Sequence, residues 1–142
     1  MKSKLILTCI VVAISLSLFA CSSAVSVEAS CDDFTKLQHI SKEVKVAVDG
    51  SLTVTLCSNP TTGFEWESPK ITNQTVLQQV GHEFEAPEHK GDEPPPPGEA
   101  GKEVWTFKAL KEGTSTISME YSQPWEGGEK GEWTFNLTVV VK

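Results

Sequence analysis

An antiparallel β-sandwich of about seven strands is the fold that this 142-residue chain predicts. Three observations carry the expectation. Apolar residues recur at every second position in short runs, turn-forming residues punctuate those runs every ten or so positions, and no stretch has convincing helical spacing.

The chain opens on a segment outside that pattern. Met1 to Ala20 reads as an export signal, with Lys2 and Lys4 at its basic end and an almost unbroken apolar core from Leu5 to Leu18. That core is too short to span a membrane comfortably. Leu18-Phe19-Ala20-Cys21 is similar to a bacterial lipobox, so Cys21 is expected to receive lipid and hold the protein on a membrane. The alternative is a later cut, for instance after Ala29, which leaves a secreted or periplasmic product. Residues 21–34 are small and polar and are expected to be a flexible tether, with the folded domain spanning 35–142.

Removing Met1–Ala20 takes away two lysines and no acid, leaving ten basic against nineteen acidic residues, a formal charge of −9. Such a surface argues against a nucleic-acid partner, which requires a basic stripe to displace counterions. Disulfides persist in exported proteins. With Cys9 lost and Cys21 lipidated, Cys31 and Cys57 remain as a candidate pair, although sequence alone does not bring them together.

From Glu43 the alternation begins. Val44, Val46 and Val48 share one face, Asp49-Gly50 supplies a hairpin-type turn, and Leu52, Val54 and Leu56 continue as the second arm of an expected hairpin. Asn59-Pro60-Thr61-Thr62-Gly63-Phe64 follows as a loop of strong turn chemistry: Pro60 fixes φ, Gly63 permits φ > 0, and Thr61 and Thr62 occupy the tip. Phe64-Glu65-Trp66-Glu67 resumes alternation until Ser68-Pro69 breaks it, and Val76 to Phe84 can again be extended.

Residues 85–101 contain five prolines and three glycines, which cannot pair within a sheet. Their four consecutive prolines predict a stiff, projecting polyproline II arm. Glu103, Trp105 and Phe107 then form one face of a strand, Ile117, Met119 and Tyr121 that of another. Ser122 to Gly131 is a second long loop. Trp133, Phe135, Leu137, Val139 and Val141 share a face of the longest strand, expected to be central in its sheet.

Connections far apart in sequence can share one end of a sandwich, so the loops 59–63, 87–101 and 122–131 are candidates for a single binding surface. Trp125, set among Pro124, Glu126 and Gly127-Gly128, is its clearest anchor; the alternative is a ring folded back as a cap.

These residues resemble the chagasin-like inhibitors of papain-family cysteine peptidases. Asn59-Pro60-Thr61-Thr62-Gly63 matches the family's first loop motif, NPTTG, at every position. Gly98-Glu99-Ala100-Gly101 is similar to the second, usually GxGG, with Ala100 in place of a glycine. Gln123-Pro124-Trp125 is similar to the third, usually RPW, with Gln123 in place of arginine. The resemblance implies an immunoglobulin-like sandwich, a monomeric inhibitor with no enzymatic activity and no cofactor or metal, and a papain-family peptidase as partner. It also implies a mechanism: Thr61 and Thr62 enter the peptidase cleft with Asn59, Pro60, Gly63 and Phe64 around them, while Gly98–Gly101 and Gln123–Trp125 grip either side. Ala100 is expected to strain its loop if that position requires φ > 0. Gln123 removes a charge and a forked donor.

Three rivals belong to other classes. Cys57 with His39, His82 or His89 would compose a thiol enzyme, though no signature links them, and His82, Glu83, Glu85, Glu88 and His89 lack the close spacing of a zinc site. An immunoglobulin-like surface adhesion or binding lipoprotein would use the same loops against a partner that is not a peptidase.

Overall fold

The computed structural model describes residues 23–89 and 91–142. The expected export segment, Met1–Ala20, and Cys21 lie outside the described residues.

Two sheets face one another. The first has the order β1 (Ala24–Ala29), β3 (Ser51–Ser58), β7 (Gly101–Ala109), β6 (Leu77–Glu85). The second has the order β2 (His39–Val46), β9 (Trp133–Val141), β8 (Gly113–Ser122), β4 (Glu65–Trp66), with β5 (Lys70–Ile71) also pairing with β8. Among the described residues there are thus nine strands, two of them only two residues long. The alternation fixes which side chains meet between the sheets. Leu52, Val54 and Leu56 with Trp105 and Phe107 face inward from the first sheet, and Ile117, Met119 and Tyr121 with Phe135, Leu137 and Val139 do so from the second. β9 lies inside its sheet, as its unbroken apolar face requires.

Three expectations are corrected. Residues 23–34 are not a tether: Val25 and Val27 alternate in β1, which pairs with β3, and Cys31–Leu37 form a short helix, α1, that seats Phe34 in the core. The helix start is written in Ser30-Cys31-Asp32-Asp33, a capping box. Nor do the strands flanking Asp49-Gly50 form a hairpin, because β2 joins β9 while β3 joins β7. The turn is real, with Gly50 N–H donating to Ala47 O at 2.9 Å, but Asp49 N–H and Gly50 O both bond to Ala109, which carries the chain over to the opposite sheet. Finally, pairing is not antiparallel throughout: the two N-terminal edge strands, β1 and β2, run parallel to β3 and β9.

Cys31 and Cys57 are joined by a disulfide with Cα atoms 5.0 Å apart, fastening α1 to the end of β3. Beside it lies a series of rings: Phe34 stacks on Trp133 (5.0 Å), Trp133 on Tyr121 (4.8 Å) and Tyr121 on Phe64 (5.7 Å). Such pairs add about 0.5–1.5 kcal/mol each beyond area burial, so this end of the sandwich is rigid. The disulfide closes a loop across 26 positions. Replacing both cysteines by alanine is expected to cost about 2–4 kcal/mol, read as a lower denaturant midpoint.

The capping box carries a pH signature. Ser30 N–H and Oγ–H both donate to the Asp33 carboxylate, at 2.8 and 2.7 Å, and hold its pKa below the usual carboxylate value. A lowered folded-state pKa means that the stabilisation is present above the unfolded value of about 3.9 and is lost as pH falls through the folded one. Asp33→Asn should therefore lower the melting temperature at neutral pH, with the difference from the parent protein shrinking as pH drops below about 4.

Candidate inhibitory surface

The strand register brings the three loops to one pole. Ser58, at the end of β3, pairs with Gly101, where the second loop enters β7. Glu65, at the start of β4, pairs with Ser122, where the third loop leaves β8. The first loop runs from Ser58 to Glu65, so it crosses from sheet to sheet with the second loop on one side and the third on the other.

Within the first loop, Pro60–Thr62 form one turn of 3₁₀-helix. Asn59 precedes it and accepts through Oδ1 from Thr61 N–H (3.2 Å) and Thr61 Oγ1–H (2.7 Å). Thr62 Oγ1–H donates to Asn59 O at 2.7 Å. Both threonine hydroxyls at the exposed tip are thereby engaged within the loop itself. Gly63 closes the turn at φ 82°, as its position in the sequence predicts.

The neighbours are stitched to this loop. Asn59 Nδ2–H donates to Gly98 O at 2.9 Å, which joins the first loop to the second. A Cβ added to Gly63 would lie 2.9 Å from Cη2 of Trp125, so the indole rests on the bare backbone of that glycine and joins the first loop to the third. Trp125 remains 50% exposed, so it is not a cap buried over the sandwich end. Pro124 is exposed beside it.

The two departures from the motifs have local accounts. Ala100 is not strained, since Gln38 and Asp49 are the only described non-glycine residues with positive φ; it is half-buried and packs against the core. Gln123 faces its own loop: its Oε1 accepts from Glu129 N–H at 2.8 Å, and its N–H donates to Glu129 O at 2.7 Å. Lys130 Nζ also bonds to Gln123 O. The position thus closes the third loop from within.

Several supporting residues escaped the sequence reading. Tyr121 is buried, and its hydroxyl accepts from Asn59 N–H at 2.8 Å. Glu103, only 8% exposed, accepts from Ser58 Oγ–H at 2.7 Å, and its other oxygen lies 2.7 Å from His82 Nε2. Ser58 adjoins the first loop and Glu103 follows the second, so this buried carboxylate ties their roots together. A glutamate on the aromatic face of β7 was the available signal, because a buried carboxylate needs partners. Cys57, the nucleophile of the rival thiol-enzyme reading, has no free thiol.

Comparisons with known proteins agree with this geometry. A family model described as chagasin family peptidase inhibitor I42 matches residues 45–139. Amoebiasin-2 of Entamoeba histolytica is 30% identical over 101 residues, covering 68% of this chain and 75% of that protein. The crystal structure of the cysteine protease inhibitor EhICP2 from Entamoeba histolytica matches with a TM-score of 0.63 at 20% identity, over 84% of this chain and 97% of that one. The solution structure of Amebosin matches with a TM-score of 0.55 at 22% identity, over 85% of this chain and 100% of that one. At such identities the two structures attest the sandwich fold alone. With the family model and the curated relative in agreement, the chain belongs to the chagasin family, a family of peptidase inhibitors and not of enzymes.

Proposed function

We propose that this protein inhibits papain-family cysteine peptidases reversibly, with the loop Asn59–Phe64 entering the active-site cleft and the loops around Gly98–Gly101 and Gln123–Trp125 bearing on its two rims. The observation that carries this reading is the joining of all three loops at one pole, through Asn59 to Gly98 and through Gly63 to Trp125.

The geometry suits an inhibitor rather than a substrate. A peptide is cleaved when its backbone lies extended and a carbonyl is presented to the nucleophile in attack geometry. Here Thr62 N–H bonds to Asn59 O and Gly63 N–H to Pro60 O, so the tip is coiled and its amides are already engaged. Because the hydrogen bonds from Asn59 shape the loop beforehand, little conformational freedom is lost on binding. Trp125 contributes a rigid exposed ring, the kind of residue that dominates binding energy at interfaces.

The domain is exported and held at a membrane through lipid on Cys21, and it acts as a monomer. Support for export comes from Lys2, Lys4 and the apolar run Leu5–Leu18, and from the Cys31–Cys57 disulfide, which suits an oxidising compartment.

Titrating papain with the purified protein is expected to abolish hydrolysis of a small fluorogenic peptide, with the inhibitor recovered intact. Full papain activity at large molar excess would refute the reading. Trp125→Ala should weaken inhibition by about thirtyfold, equivalent to roughly 2 kcal/mol, with an unchanged melting temperature. Tyr121→Phe deprives Asn59 N–H of its acceptor, and we expect about fivefold weaker inhibition together with about 1 kcal/mol lower stability in denaturant titrations.

A further inference from the structure

Between the first and third loops and the disulfide lies an open recess of about 480 Å³. Its lining includes Phe64, Tyr121 and Trp133, three members of the stacked ring series, together with the Cys31–Cys57 disulfide. Phe64 and Trp133 are only partly buried, so the recess offers ring surface to an incoming group. Two acidic residues are also among its lining, Glu129 and Glu132. Both residues are exposed, and neither carboxylate meets a lysine or histidine among the described residues. Lys130, which lies between them in sequence, directs its ammonium to the backbone carbonyls of Gln123 and Trp125.

An apolar, aromatic wall with two unpaired carboxylates has a specific chemical complement. A lysine or arginine lays a methylene stem along apolar surface and carries its charge at the tip, and a guanidinium additionally meets carboxylates with a planar fork. An apolar side chain would fill the wall but leave the two charges facing it unpaired. The third loop points the same way: it has Gln123 at the motif's arginine position and carries Glu126 and Glu129.

We propose that the recess receives an arginine or lysine side chain projecting from the rim of the partner peptidase's cleft, and so selects peptidases with a basic rim. The identity of the partner rests on the inhibitor reading above; the cation preference of the recess does not.

The test has two arms. In the first, the ¹⁵N-labelled protein is titrated with N-acetyl-arginine amide and, separately, with the uncharged N-acetyl-norleucine amide, following the Trp133 indole and the amides of 129–133. Arginine amide should shift these signals, norleucine amide should not, and Glu129→Gln combined with Glu132→Gln should weaken arginine binding about tenfold. Equal response to both amides, no response to either, or arginine binding unaffected by the double substitution overturns the recess as a cation site. In the second arm, for a peptidase that the parent protein inhibits, the double variant should inhibit about tenfold less well, and a charge-neutralising substitution of the basic rim residue in that peptidase should remove the difference. Inhibition that is the same for parent and double variant across a panel of peptidases, including ones with a basic rim, overturns the assignment to the partner. If no cysteine peptidase is inhibited by the parent protein, the inhibitor reading and the partner assignment fall together, and the amide titration reports on the recess alone.

Discussion

Asn59 commits its whole polar inventory to the shape of one pole. Its N–H goes to Tyr121 in the second sheet and its side-chain amide to Gly98 in the neighbouring loop, while its side-chain oxygen and its carbonyl hold the two threonines behind it. No other standard side chain of that length combines a donor and an acceptor at the required separation. Aspartate would lose the donor to Gly98, and serine could accept from Thr61 N–H but is too short to bridge to Gly98 as well. The first loop, its neighbour and the sandwich are therefore one hydrogen-bonded unit centred on a single residue.

That residue works only because of what stands under it. Tyr121 can accept from Asn59 because it is fixed between Phe64 and Trp133, and Trp133 in turn rests on Phe34 from α1. The N-terminal segment thus supports the inhibitory pole through the ring series and through the disulfide to Cys57, two residues before Asn59. Ser58 and Glu103 brace the other side. A loop can be a stiff wedge when the scaffold below it has no slack.

Much of this was legible in the sequence, and the omissions have physical causes. Strands with one buried face declare themselves by alternation, which is why β3, β7, β8 and β9 were readable. The tip of the first loop was readable because Pro60 and Gly63 constrain φ locally, whatever the rest of the chain does. The segment 24–34 reads as a tether because its strand contributes only Val25 and Val27 as large apolar residues and the helix that begins at Cys31 has only seven residues, too few for a periodic signal. Asp49-Gly50 declared a turn but not a destination, since its tertiary partner Ala109 lies far along the chain. The same limit applies to Tyr121, Glu103 and His82, whose roles depend on pairings across 21 to 62 positions.

The long connection between β6 and β7 carries Pro94–Pro97 exposed, directly before Gly98 and hence beside the surface assigned to the enzyme. A proline nitrogen has no hydrogen to offer and its ring fixes φ, whereas a degrading cleft reads a chain by pairing with its amides as though adding a strand. This exposed stretch is consequently poorly suited to capture as an added strand. Durability in hostile company is thus built into the covalent structure of the arm itself, independent of how tightly the neighbouring loops hold.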